Sequence, residues 1–474
     1  MAPAPTAAPP AGSGAGIGRR FGLFRIAVLA SGLADGVYLV SVPLLALSLT
    51  GSPLAVAAVG VALRAPWLLM TLPAGVVVDR LPPLRLLRRA SAARLPLVVA
   101  LGVLAWCGLL PVWALAGGAF LVGVCGTFVD LAAQSLVPRL VDRAQLPRAN
   151  ARLQTGQLLT AQFAGPALGG LLAAVPGTGM GLAAALYATT LAGLEVLHRR
   201  RAAELPERGH APVPDTAPVP DTAAAPVASD AATGSAPGPA PAPGPAPAPG
   251  PAPARGRSMR RELREGAAHL RRRRDLLGLA AVAASGNLAF AAVTTMLPLW
   301  VVAPGRLGLP ESAMGFVAAA PAVGGLLAGT AAARLLQRFG ARRVLMCCAP
   351  AAGLCHATVA VPSVVAALAA MACYGALSVQ LNVTSMSYRQ SSIPVALFGR
   401  VNALYRWLIL GVSPFGALLG GIVADRSGTA AVFLGAGAVC LITGTALPAL
   451  LFRPPVVPPP APVPTRPSTH KESP

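Results

Sequence analysis

Apolar stretches of about 20 residues follow one another from Leu23 to Phe452, each long enough to cross about 30 Å of hydrocarbon as a helix. About twelve can be drawn, half of them on each side of a long polar break. Only 11% of the residues are charged, against about 25% in a soluble domain. Such a chain lacks the polar surface to stay in water. Strands of a membrane barrel would alternate apolar and polar side chains over about 10 residues, and these stretches do not. The expected fold class is an all-α membrane protein of about twelve transmembrane helices.

The formal net charge of +22 could suggest nucleic acid, but its placement argues for a membrane. Arginines gather at alternate loops: Arg19, Arg20 and Arg25, then Arg80, Arg85, Arg88 and Arg89, then Arg139, Arg143, Arg148 and Arg152, and later Arg334, Arg338, Arg342 and Arg343. The short turns between them, near Gly51, Pro111, Pro176 and Pro362, carry none. That is the positive-inside pattern of a multi-pass protein with both termini in the cytoplasm. The aromatic interleaving of a nucleic-acid platform is missing, so no nucleic-acid partner is expected. All seven cysteines fall inside apolar runs, where they act as small hydrophobes, and disulfides are not expected. The apolar run after Arg19-Arg20 is too long for a signal-peptide core and leads straight into a second span, so it reads as a retained first helix. The strong preference for Arg over Lys fits a GC-rich genome, hence a bacterial cytoplasmic membrane.

Residues 1–20 and 454–474 are expected to be disordered tails around two bundles, 21–200 and 276–453. The segment 201–258 contains tandem Pro-Ala-Pro-Gly units, which favour extended polyproline conformations and bury no core. It reads as a cytoplasmic linker. Residues 259–275 read as a basic amphipathic helix, with Leu263, Ala267 and Leu270 at helical spacing and Arg271–Arg274 in the headgroup layer. The two bundles share a phrase. Arg148-Ala149-Asn150-Ala151 opens a stretch that reaches Gly169-Gly170, and Arg400-Val401-Asn402-Ala403 opens another that reaches Gly420-Gly421 at nearly the same spacing. Internal symmetry of this kind, with pseudo-symmetric six-helix halves, is how many secondary transporters are built.

Two stretches are more specific. Pro73-Ala74-Gly75-Val76-Val77-Val78-Asp79-Arg80 lies between the second and third spans, followed by Arg85, Arg88 and Arg89. Gly165-Pro166-Ala167-Leu168-Gly169-Gly170 lies in the fifth span; its proline removes a backbone donor and its glycines thin the helix. With two six-helix halves and an interior central loop, these resemble the major facilitator superfamily, and more closely its drug- and siderophore-exporter branch of enterobactin and macrolide type. The stretch around Asp79 is similar to the family's cytoplasmic signature G-x-L-x-D-R-x-G-R-[KR], although Pro82-Pro83-Leu84 replaces its Gly-Arg-Lys. The resemblance implies a conformational-switch loop, with Gly75 letting helices approach and Asp79, Arg80 and Arg85 forming or breaking a latch. The stretch around Pro166 is similar to the exporter-associated G-P-x-x-G-G core, which implies proton-coupled antiport outward.

An ionisable group inside a span is costly and is a functional candidate by default. Asp35, in the middle of the first span, is the leading candidate for carrying a proton, the alternative being a structural pair with an arginine. Arg64, inside the second span, could be its counter-ion, could contact an anionic substrate, or could serve packing and snorkel toward an interface. Asp130 is a further proton-coupling candidate, with Arg139 or Arg148 as its expected partner. His356 is the third, against a hydrogen-bonded packing role. Asn287, Gln380 and Asn382 could line a substrate cavity or join helices. Glu195, at the cytoplasmic end of the sixth span, reads as solvated.

No nucleotide-binding loop, metal-ligand cluster or nucleophile elbow is present, so no enzyme and no cofactor are expected, with a proton gradient as the energy source. The reading is efflux by alternating access of a drug-like or siderophore-like molecule, with the bilayer and that small molecule as partners and no obligatory protein partner. Uptake of a nutrient by the same fold is the alternative. A non-transporting sensor or scaffold is a minor one, because the Pro/Ala-rich linker and tails offer no folded output domain.

Overall fold

The computed structural model describes residues 19–142, 145–203 and 267–451. The expected tails (apart from Arg19 and Arg20), all but the first few residues of the Pro/Ala linker, residues 259–266 of the basic helix and the side chain of Asp79 lie outside what is described.

The described chain is helical almost throughout. In the N-terminal half, α1 is Arg19–Leu49, α2 Pro53–Arg80, α3 Pro83–Trp106 and α4 Val112–Leu136. Ser52 caps α2 by accepting from the Ala55 N–H, and Pro53 at the first position has no N–H to leave unpaired. The next span comes in three pieces: α5 Leu146–Gln157, a π turn Leu158–Ala164, and α6 Gly165–Leu171. Pro166 cannot donate to the α ladder, and the wider π pattern sits just before it. α7 is Thr178–Ala203.

In the C-terminal half, α8 is Arg274–Val301, α9 Glu311–Thr358, α10 Val364–Ser392, α11 Val395–Gly411, α12 Ser413–Ser427 and α13 Thr429–Leu451. At about 1.5 Å per residue, the 48 residues of α9 would extend roughly 70 Å, more than twice a hydrocarbon core. Gly340, with φ +74°, divides it where the sequence places Arg338, Arg342 and Arg343. The stretch that runs from Arg400-Val401-Asn402-Ala403 to Gly420-Gly421 is broken at Val412, because Pro414 opens α12 and cannot continue the ladder of α11. Among the described residues, ten helices are long and apolar enough to cross a membrane, taking α9 once and α11 with α12 as one. Large apolar side chains on the outer surface, such as Trp113 (75% exposed) and Leu327 (74%), are what lipid would cover.

The halves are built alike. Gly165 backs onto Gly36 of α1: a Cβ there would lie 2.7 Å from the Gly36 Cα and 2.8 Å from the Leu33 carbonyl oxygen. Gly416 of α12 backs onto Leu288 of α8 in the same way. Gly169 meets Val37 and Val40, and Gly420 meets Ala292. The last glycine of each motif crosses to the other half. Gly170 faces Gly315 of α9, and Gly421 faces Pro53 and Ala57 of α2. Small residues let these backbones approach closely.

Candidate functional site

Asp35 lies near the middle of α1. Arg94 of α3 forms an ion pair with its Oδ1, and the Tyr187 hydroxyl of α7 donates to the same oxygen at 2.8 Å. The Arg94 guanidinium also lies over the Tyr187 ring, 4.1 Å from its centre. Arg94 is almost fully enclosed, at 7% side-chain exposure, while Asp35 keeps 36%. The carboxylate is therefore the accessible member of the pair. Asp130 of α4 lies within electrostatic range of both Asp35 and Arg94. Neither Arg139 nor Arg148 forms an ion pair with Asp130 among the described residues. Four helices of the N-terminal half thus meet at one charged cluster.

Arg64 is not the cation at Asp35. It sits near the middle of the 28-residue α2 and turns the other way, toward the C-terminal half. Its guanidinium donates to the Gly60 carbonyl at 3.1 Å and to the Thr294 hydroxyl of α8 at 2.9 Å. Both bonds border a cavity of about 370 Å³ between the halves. Leu39, Val40 and Pro43 of α1, Leu63 of α2, Phe290 of α8, and Val317 and Pro321 of α9 form much of its apolar wall.

The internal symmetry explains another cavity. If Gly165 against Gly36 corresponds to Gly416 against Leu288, then Asp35 corresponds to Asn287. Among the described residues the C-terminal half has no ion pair there. Instead Asn287, Leu345, Tyr374, Ser378, Asn382 and Cys440 border a cavity of about 220 Å³. Asn287 donates to the Ala283 carbonyl of its own helix at 2.9 Å, which is no link between helices. Gln380 lies elsewhere and does join helices. It donates to the Ala332 carbonyl of α9 at 3.2 Å and to Thr384 at 3.3 Å.

His356 is fully buried near the end of α9, and neither ring nitrogen has a polar partner among the described residues. It packs against Tyr374, ring centres 4.5 Å apart, while Tyr374 stacks on Phe290 at 4.9 Å. His356 therefore packs as expected, but without the expected hydrogen bond among the described residues. Arg80 and Arg85 are exposed, and a Cβ at Gly75 would meet nothing within 4 Å. The close helix approach expected at Gly75 is therefore not present in this arrangement. Glu195 is not simply solvated: it pairs with Arg88 at 2.7 Å and Arg199 at 3.2 Å, tying α3 to α7. Arg273, between the helical residues 267–272 and α8, holds Asp275 at 2.6 Å and donates to the Ser392 carbonyl at 3.1 Å, anchoring the start of the C-terminal bundle.

Arg94 is the functional candidate that sequence reading missed. Its signal was present, an arginine within the third apolar run, but Arg85, Arg88 and Arg89 just before it make it resemble the end of a basic loop.

The Major Facilitator Superfamily profile matches residues 25–405 and 301–474. No curated protein matches the sequence. Among solved structures, a mutant of the nucleoside transporter NupG superposes at a TM-score of 0.64 with 12% identity, covering 92% of this chain and 100% of that one. A bacterial homologue of the iron transporter ferroportin in an inward-facing state superposes at 0.64 with 16% identity, covering 91% and 99%. The outward-facing structure described in the same terms reaches 0.55 with 15% identity, covering 91% and 98%. At such identities the likeness is one of fold. With the profile spanning nearly all the described helices, the chain belongs to the Major Facilitator Superfamily and is a multi-pass membrane transporter.

Proposed function

We propose that this chain exports a mid-sized, partly apolar molecule in exchange for protons, by rocking its two halves about the cavity that holds Arg64. Among the described residues, ten apolar helices, with α9 counted as two crossings divided at Gly340 and α5–α6 as one more, support a reading of twelve crossings with both ends of the bundle at the Arg-rich, cytoplasmic face. The contacts named between the halves lie from the Arg-poor ends to mid-span: Gly170 with Gly315, Gly421 with Pro53, Arg64 with Thr294, and the Trp407 indole with the Leu68 carbonyl at 3.1 Å. Together with the open space at Gly75, they support a state closed outward and open to the cytoplasm. The higher superposition on the inward-facing ferroportin homologue agrees.

The observation that carries proton coupling is the Asp35 cluster. A carboxylate at mid-membrane depth, partly accessible and held by one enclosed arginine and one tyrosine, has two arrangements available. Deprotonated, it stays on Arg94. Protonated, it releases Arg94, which can turn toward Asp130. Such an exchange changes how α1, α3, α4 and α7 hold together, and α1 also backs the motif at Gly165. The bendable fifth span then links proton uptake to opening of the outer seal.

The test is uptake into everted vesicles of a compound panel, for the intact chain and Asp35→Asn, with and without a protonophore. Accumulation that needs both the gradient and Asp35 supports the proposal. Uptake that survives the protonophore and Asp35→Asn refutes proton coupling at this site. Gradient-driven loss from the vesicles refutes export in favour of uptake into the cell.

A further inference from the structure

Among the described residues that line the inter-half cavity, Arg64 is the one ionisable side chain. No carboxylate pairs with it among the described residues, in contrast to Arg94, Arg88 and Arg273, each of which has an acidic partner. A guanidinium has five N–H donors, and Arg64 directs two hydrogen bonds to neutral oxygens, those of Gly60 and Thr294. A permanent cation without a counter-charge, deep within a span, is costly to maintain. Leu, Met or Gln would fill the same volume without that cost. Gln162 from the π turn and Thr294 and Thr295 from α8 add hydrogen-bonding groups, while Leu39, Val40, Phe290, Val317 and Met371 supply an apolar wall.

From this we infer that the cavity takes an amphipathic organic anion, its carboxylate, sulfonate or phosphate group on Arg64 and its apolar body against α1, α8 and α9. A bidentate anion matches the guanidinium fork. An organic cation would face an unpaired like charge with no acidic residue among the described lining side chains to offset it. Arg64 belongs to the N-terminal half and Thr294 to the C-terminal half, so an anion seated on Arg64 competes with a bond that joins the halves. Substrate binding then loosens one contact of the closed arrangement. The substrate class rests on the transport reading only for its physiological meaning; binding itself is measured without any gradient.

The experiment uses the full chain in lipid nanodiscs and a matched pair of probes, anthracene-9-carboxylate and 9-(aminomethyl)anthracene. Binding is read as energy transfer from tryptophan to the shared ring, with empty nanodiscs subtracted. We expect the carboxylate to bind at least about tenfold more tightly than the ammonium. Arg64→Gln should weaken carboxylate binding roughly ten- to hundredfold, the range for a charge-assisted hydrogen bond, and leave the ammonium nearly unchanged. Arg64→Lys should restore part of the loss, and Thr294→Val, which keeps the cation, should retain or tighten carboxylate binding. Equal binding of both probes, a preference for the ammonium, no binding beyond empty nanodiscs, or indifference to Arg64→Gln would each overturn the inference. Arg64-dependent carboxylate binding with no gradient-driven accumulation of the compound panel would keep the inference and remove the export proposal. Gradient-driven accumulation of cationic compounds alone, without carboxylate binding, would do the reverse.

Discussion

Replacing Gly170 by alanine should open the outer face. A Cβ at Gly170 would lie 2.5 Å from both the Cα and the N of Gly315 and 3.0 Å from the Ser312 carbonyl oxygen. Ordinary contacts between such atoms are about 3.5–4.0 Å, so α6 and α9 must part by roughly 1 Å. The obstructing atoms are backbone, and no rotamer change relieves them. Overpacking of this kind costs about 1–3 kcal/mol. The better helix propensity of alanine applies in both states and cancels from their ratio. The penalty falls only on the state in which these helices touch, so the ratio of outward-closed to outward-open protein should fall roughly 5- to 150-fold. Gly421→Ala, whose Cβ would meet the Pro53 carbonyl oxygen at 3.2 Å and also the Ala57 side chain, should act in the same direction from the symmetric position. Nitroxides at Leu109 and Val361, exposed ends of the two halves, would report the change as a longer-distance population in pulsed electron spin resonance, in a cysteine-free background. Unchanged distance distributions in both variants, with the protein folded, would refute the reasoning. The Gly170–Gly315 contact would then not be specific to one state.

Three further outcomes are expected. Arg94→Gln should destabilise the fold by about 1–3 kcal/mol, below the roughly 3–5 kcal/mol of a fully buried broken pair because Asp35 is partly exposed; adding Asp35→Asn should recover much of that loss in a thermal-unfolding double-mutant cycle, and simple additivity would contradict the pairing. His356→Phe should be neutral or stabilising by about 1 kcal/mol, since it removes two buried ring nitrogens that have no partner among the described residues, and it should leave proton-driven transport intact; loss of coupling would place His356 in the proton path after all. Glu195→Gln should lower the melting temperature only slightly, and by less than Arg94→Gln, as its pairs with Arg88 and Arg199 are partly exposed and screened; a loss as large as that of Arg94→Gln would mean that this link carries the α3–α7 packing.

Local chemistry made the membrane class and the doubled architecture legible. A run of about 20 apolar residues has one outcome in hydrocarbon, because only a helix satisfies all its backbone groups within itself. The two Arg-x-Asn-Ala phrases leading to glycine pairs marked two like halves, and the glycines proved to be where backbones cross, from Gly165 on Gly36 to Gly421 on Pro53. Breaks were harder to read, since the π turn before Pro166 and the interruption at Val412 depend on which carbonyls find other partners. The partners of the charged residues were decided by tertiary structure alone. Asp35, Arg94 and Tyr187 lie on three separate helices, and nothing local indicates that α3, rather than α2, turns its arginine toward α1. Arg64 is equally prominent in the sequence, yet helix rotation points it into the space between the halves. Sequence spacing fixes which side chains share a helix face, whereas the rotation and crossing of separate helices follow from packing across the whole bundle. A charge's partner, and so its chemistry, is set only there.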